Sequence, residues 1–444
     1  MNFMKNVKIL IPIIAFLSCL IGMFIASQFI FVSDIFRGVF SGLKHSINPP
    51  KISKDFSINE KKFSDKIETN SFLIDIKNIE GASVKYNDEK THKKNQFVNS
   101  GLYAKKVNNK TELTYFTRNG FKLSNGKLTK FDLPNTYTPH NSKGGIRGVF
   151  YFQNQPYALM ASKKVGCDYV AIINLEYSKE IFASECLPDT SKINYDGVGG
   201  ASIHLKDKIL LTTGTPANNS EYIRALAQND QSFFGKIIEI KKKDLENLNL
   251  DQDEKIKISI FSKGHRNPQG MAIIDDRIYS SEHGPKGGDE VNLIQKDKNY
   301  GWPKSSYGTK YFLEPSDEYN KGKKIIKYYK NSHLKYGFKE PILHFTPSIG
   351  ISSLSNCPSI LINFYERKNC LLANSLREKA LYILILDEVK GESVIGYEKI
   401  VLNQRLRNFA LNFDGSLYEE DDNTIFISAD DSSVLKLSFS TRIN

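Results

Sequence analysis

Between Gly264 and Pro303 one stretch of the chain gathers an unusual set of groups able to do chemistry: GHRNPQG, then SEHGPKGGDEVNLIQKDKNYGWP. Arg266 offers a guanidinium and Asn267 an amide, Gly284-Pro285 would present backbone carbonyls, and Asp289 and Glu290 are adjacent acids. Carbonyl and carboxylate oxygens suit a hard cation such as calcium. A loop just ahead of an apolar strand can turn such groups toward one bound molecule. The same residues would also serve as a polar turn held by its own hydrogen bonds, so the surrounding elements must separate the two readings.

Those elements read as short strands. A unit recurs in which a small residue leads an apolar strand, a turn rich in Asp, Asn, Gly or Lys, and a second strand. It stands as GVFYFQNQPYALMAS from Gly148, GGASIHLKDKILLTTG from Gly199, GMAIIDDRIYSSEHG from Gly270 and NFALNFDGSLYEEDDNTIFISADD from Asn408. Fainter copies are TYFTRNGFKLSNGKLTKFDL from Thr114 and a stretch around SIGISSLSNCPSILINFYERKNCLLANSL. Spacings of roughly 50 to 80 residues suit four-stranded blades with loops inserted between strands, and about six such units fit. The expected fold is all-β, a six-bladed β-propeller of four-stranded antiparallel blades over 54–444. A sandwich or a set of small domains is the competing architecture. The polar region from Lys54 to about Val107 would supply the first blade or the strand that closes the ring.

Composition excludes several classes. With 40% hydrophobic and 25% charged residues the chain has no disorder signature. The formal charge of +12 invites a nucleic-acid reading. Lysines alternate with acids, as in KKKDLENLNLDQDEK, which describes a solvated surface, so no nucleic-acid partner is expected. No CxxC or Cys/His cluster supports zinc or a redox dithiol.

Lys5 and Lys8 precede an uncharged apolar stretch from Ile9 to Val32. That length matches a membrane-crossing helix better than a signal-peptide core. Residues 1–35 are therefore expected to be an uncleaved anchor with its lysines inside, and 36–53 a stalk. A cleaved signal peptide and a lipoprotein centred on Cys19 are the alternatives. The expected location is the inner (cytoplasmic) membrane, single-pass, with the propeller in the periplasm. Four cysteines lie beyond the span, and an even count in an oxidising compartment predicts disulfides. Cys167 and Cys186 flank a hairpin pattern that would bring them together, leaving Cys357 to pair with Cys370.

The Gly264–Pro303 signature resembles that of the soluble glucose and aldose sugar dehydrogenases that use pyrroloquinoline quinone, the glucose/sorbosone dehydrogenase family. NCLLANSLREKALYILIL resembles a further family element and places Arg377 where lysine is common; NQRLRNFAL resembles its Arg-x-Arg element, giving Arg405 and Arg407. The resemblance covers Gly144 to the C-terminus and implies a six-bladed propeller. It implies that Arg266, Arg377, Arg405 and Arg407 neutralise the cofactor's three carboxylates and quinone oxygens, with Asn267 bonding a quinone oxygen. Carbonyls of Gly284 and Pro285 would hold a calcium ion acting as a Lewis acid, and Glu290 with the Tyr300 backbone would fit a second, structural calcium.

The sequence departs from the family where the general base is expected. The family's histidine follows an aspartate ahead of a Gly-rich strand; here Asp196 is followed by Gly197, within Tyr195-Asp196-Gly197-Val198-Gly199-Gly200. The earlier Gln-x-Gly-Leu-Leu-Gly element reads Lys143-Gly144-Gly145-Ile146-Arg147-Gly148. Removing a general base forfeits about 10²–10⁴ in rate. Candidate substitutes are Asp196, His140 and His265. The expected function is a membrane-anchored, calcium-dependent quinoprotein that oxidises a sugar or related alcohol and passes electrons to a respiratory acceptor. The alternatives are a non-catalytic propeller binding a ligand, glycan or partner, and a calcium-dependent hydrolase or lactonase.

Overall fold

Hairpins build the molecule, and their turn residues show why. Gln153 and Asn154, between the strands Ile146–Phe152 and Gln155–Lys164, both have positive φ (48° and 64°). This is the backbone that twists a two-residue turn in register with its strands. In the computed structural model, residues 59–309 and 329–442 are described, except 70, 81–97, 135, 138–143, 188–192, 218–219, 367–368 and 431–432. The expected anchor (1–35), the stalk (36–53) and His140 lie outside the described residues. Among the described residues no helix is long and apolar enough to cross a membrane.

Four sheets have four antiparallel strands each. The first joins Ile146–Phe152, Gln155–Lys164, Cys167–Asn174 and Lys179–Ala183, and the second Ser202–His204, Lys208–Thr213, Lys236–Lys241 and Ile258–Lys263. The third joins Pro268–Ile274, Arg277–Glu282, Asp289–Ile294 and Leu343–Phe345. The fourth joins Ile351–Asn356, Cys370–Ser375, Ala380–Leu386 and Val394–Val401. The fold is all-β, as expected, and propeller-like.

A nine-stranded sheet holds both ends of the described chain. Asn59–Glu68 pairs with Phe72–Glu80, which pairs with Val434–Thr441 in the register Phe72↔Thr441 to Ile79↔Val434. The order continues through Thr424–Ala429 and Leu406–Leu411 to Asn99–Val107, Lys110–Thr117, Phe121–Ser124 and Lys127–Lys130. The pairing of Leu406–Leu411 with Asn99–Val107 is parallel and covers only Ala410↔Leu102 and Leu411↔Tyr103. Residues 59–80 thus extend the C-terminal hairpin, and 99–130 form four further strands of the same sheet.

Apolar side chains fill the layers between neighbouring sheets. Phe150, Ile172 and Ile181 of the first meet Ile209, Leu211 and Ile238 of the second. Ala272, Tyr279 and Val291 of the third meet Ile351, Leu371 and Tyr382 of the fourth. No sheet could bury both faces alone, so stacking side by side is what makes a core of them. The small residue leading each repeat has a steric cause. A Cβ on Gly148 would lie 1.7 Å from the Gly200 carbonyl oxygen, and one on Gly270 would lie 2.2 Å from the Leu354 amide. Leading strands of neighbouring sheets thus approach backbone to backbone. Both expected disulfides are present, Cys167–Cys186 with Cα atoms 5.0 Å apart and Cys357–Cys370 with 5.4 Å.

Candidate functional site

The signature loop is organised from beneath by a buried carboxylate. Glu282, at the end of Arg277–Glu282, accepts from the Arg266 amide and lies 3.0 Å from His265 Nδ1. His265 is fully buried, lies 2.9 Å from Ser262 Oγ through Nε2 and stacks on Tyr300. With both ring nitrogens engaged inside the protein, His265 positions Arg266 and has no reach to a substrate, which removes it as a substitute base. Arg266 donates through Nη1 to the His283 carbonyl at 2.8 Å, and its guanidinium lies 5.3 Å from the Trp302 ring. Asn267 is buried and its Oδ1 accepts from the Gly199 amide at 3.2 Å, tying the signature to the Gly-rich strand.

Two further loops bring the remaining arginines. Arg407 gives Nε and Nη2 to Asp430 Oδ1 at 2.8 and 2.6 Å, while Arg405 gives Nε to Oδ2 at 2.8 Å. Burial alone would raise the Asp430 carboxyl, but Arg407 and Arg405 outweigh it and hold it below its ordinary value. Arg405 also reaches the Leu376 carbonyl through Nη1 at 3.2 Å, next to Arg377. Arg377 and Arg405 are exposed, whereas Arg266 and Arg407 are half-buried.

The expected calcium loop is clamped by Asp289. Its Oδ1 accepts from the Gly284 amide at 3.1 Å, and its Oδ2 from Ser348 Oγ, the Gly350 amide and the Ile351 amide. Gly284 and Pro285 are buried there, and their carbonyls are oxygen donors of the type a hard cation takes. Glu290 is differently engaged: Oε1 lies 3.2 Å from His333 Nε2 and Oε2 accepts from Asn292. Burial would lower the His333 imidazole, but the bond and charge of Glu290 raise it above the ordinary value. Among the described residues, no three His, Cys, Asp or Glu side chains converge as a metal cage.

Beside the signature, the expected base position is closed. A Cβ on Gly197 would lie 2.0 Å from the Thr215 carbonyl oxygen. Thr215 is itself fixed by the signature loop, its amide donating to the Arg266 carbonyl at 2.7 Å and its Oγ1 accepting from Trp302 Nε1. Asp196 sits on the short 3₁₀ turn Tyr195–Gly197, its amide capped by Asn194. Two arginines converge on it: Arg118 Nη1 at 3.7 Å and Arg147 Nη1 at 4.0 Å from Oδ1. Arg118, Arg147 and Arg407 share the wall of a cavity of about 70 Å³ with Asn99, Gly199 and Gln269. Burial, then repulsion from Arg147 and Arg407, lowers Arg118 well below an ordinary guanidinium, and burial brings Arg147 to about 10.

Sequence reasoning missed Arg118, Arg147 and Asp430. Arg147 carried a legible signal, a charge inside an element that is apolar in the family. Arg118 in a hairpin turn carried none. His283 was also missed; burial takes its imidazole down to about 4, and Nε2 lies 3.1 Å from Gln269 Oε1.

Stacked antiparallel sheets with arginine-bearing loops at one end define a propeller-type scaffold of the sugar-dehydrogenase kind. The chain belongs to the glucose/sorbosone dehydrogenase family, whose description matches residues 155–426. It is 32% identical over 163 residues to the aldose sugar dehydrogenase YliI of Escherichia coli, 36% of this chain and 40% of that one. The chain spans half or less of the length of the curated relatives it matches. In structure it is similar to the apo-form of the soluble aldose sugar dehydrogenase of E. coli, with TM-score 0.56 and 21% identity over 78% of this chain and 97% of that one. The aldose sugar dehydrogenase of Streptomyces coelicolor, solved with its quinone cofactor bound, gives TM-score 0.51 and 18% identity over 78% and 95%.

Proposed function

We propose that this chain is a six-bladed quinoprotein, anchored in the inner membrane with its propeller in the periplasm, that oxidises a sugar or related alcohol with pyrroloquinoline quinone and calcium. The observation that carries the reading is the set of arginines on converging loops. A planar tri-anion needs several cations, and arginine's fork pairs carboxylates two bonds at a time. The residues fit the cofactor: Arg266, Arg377, Arg405 and Arg407 would hold its carboxylates and oxygens and Asn267 a quinone oxygen. Carbonyls of Gly284 and Pro285 would hold the calcium, whereas an ion at Glu290 and the Tyr300 carbonyl would have to displace His333. Bound quinone would supply the two-electron acceptor for a substrate hydride. Asp196, on the turn beside the signature, would take the hydroxyl proton, with His140 the other candidate. Splitting the nine-stranded sheet at its two-residue parallel joint, into five and four strands, would supply the two further blades that this reading needs. Two disulfides support the oxidising compartment. The electron acceptor would be a respiratory one.

The closure at Gly197 favours a second reading, a non-catalytic propeller of the same family that binds a ligand, glycan or partner. One experiment separates the two. The full chain, purified in detergent, is titrated with pyrroloquinoline quinone and calcium, then given aldoses and a dye acceptor. Dye reduction that disappears in Arg266→Ala establishes the dehydrogenase; tight cofactor binding without turnover establishes the binding propeller.

A further inference from the structure

Among the described residues, the cavity wall beside the signature carries more positive charge than its own anions balance. Arg118 and Arg147 share the single carboxylate of Asp196, at 3.7 and 4.0 Å. The Arg147 side chain is 1% exposed and that of Arg118 11%, while Asp196 keeps 42% of its side chain in solvent. Arg147 gives Nη2 to the Asp196 carbonyl at 3.2 Å, but its Nε and Nη1 reach no hydrogen-bond acceptor among the described residues. Ser100 Oγ, on the wall of the same cavity, is likewise buried without a partner among the described residues. The third arginine of the cavity offers no relief, since Arg407 and Arg405 together share Asp430. A guanidinium held from water with unmatched donors is unfavourable until an anion completes it.

We propose that Arg118 and Arg147 form a receptor for an oxyanion on the substrate, so that this protein takes an acidic sugar, a carboxylate- or phosphate-bearing one, in preference to a neutral aldose. The four arginines matched to the cofactor are other residues, and two guanidinia beyond them exceed what three carboxylates require. Their common neighbour Asp196 is the group assigned to the reacting hydroxyl. An anionic substituent seated on Arg118 and Arg147 therefore sets the sugar ring beside that carboxylate. The word sugar rests on the dehydrogenase reading above; the oxyanion receptor itself does not.

The test is calorimetry on the full chain in detergent, without cofactor, using glucose, glucuronate and glucose 6-phosphate. At least one acid should bind ten-fold or more tightly than glucose. Arg147→Leu should bring that acid to the level of glucose, and Arg147→Lys should keep part of the preference. Melting curves check folding, and Arg118→Leu takes the place of Arg147→Leu if that variant does not fold. Binding of all three sugars within two-fold, or a preference that survives both leucine variants, overturns the proposal. A repeat with saturating pyrroloquinoline quinone and calcium identifies the source of the oxyanion. Persistence of the preference supports a substrate group; its loss, with Arg147→Leu weakening the quinone instead, assigns the receptor to the cofactor and overturns the proposal. No step reads turnover, so a chain that oxidises nothing but still prefers the acid would sink the dehydrogenase reading alone.

Discussion

The two walls of the channel are built on opposite plans. On the signature side, the two buried carboxylates are closely partnered: Glu282 serves His265 and the Arg266 amide, and Asp289 serves four donors. On the side of Arg118, Arg147 and Asp196, two buried guanidinia lean on one half-exposed carboxylate at 3.7 and 4.0 Å. Arg266 and Asn267, matched to the family's cofactor site, lie on the first side. On the side of Gly197, Arg147 keeps buried donors that meet no acceptor among the described residues. The first arrangement fixes a loop in place, whereas the second leaves buried guanidinium donors for the proposed oxyanion.

The contrast can be broken most forcefully at Glu282. Glu282→Ala should cost about 3 kcal/mol or more, because it strands a buried histidine and a buried amide. A large fall in melting temperature and loss of quinone binding would follow. An unchanged melting curve would show that the signature wall is not held from beneath. Next in size is Gly197. Gly197→Ala should cost about 1–3 kcal/mol by forcing apart backbone that already touches, and Gly197→His should lose stability without restoring a base. A stable Gly197→His with faster dye reduction would mean the position opens and the two walls are not so different.

The smallest effect belongs to His204, in the strand Ser202–His204 beyond the Gly-rich turn. Burial and then Lys242 lower its imidazole to about 4, against an ordinary 6.5, despite the pull of Asp414. The folded protein therefore holds it neutral while the unfolded chain takes up a proton first. Its contribution is present above pH 6.5 and is lost as pH falls toward 4. His204→Gln should flatten part of that acid-side decline in a melting series; an unaltered pH profile would place the decline elsewhere.

Much of this was legible in the sequence. The repeats announce themselves because leading strands approach so closely that Gly148 and Gly270 cannot carry a side chain, and the disulfides because Cys167 and Cys186 flank a hairpin. Arg266 and Asn267 stand in one short motif, so local pattern sufficed to find them. The receptor was not legible, because Arg118, Arg147, Asp196 and Arg407 are distant in sequence and meaningful only as a sum of charges. His265 looked available in the motif, and only its contacts with Ser262 and Glu282 show that it faces inward. Closure by the early region was one of two expectations, but its partner strand was hidden, since the register Phe72↔Thr441 has no local trace.

That register also sets a timetable. Phe72–Glu80 leaves the ribosome hundreds of residues before Val434–Thr441, the strand it must pair with. Through nearly all of synthesis the early strands present an unpaired edge, a template for wrong partners. A chain interrupted just short of Val434–Thr441 would carry every residue of the proposed site and still leave Phe72–Glu80 without its partner on that side.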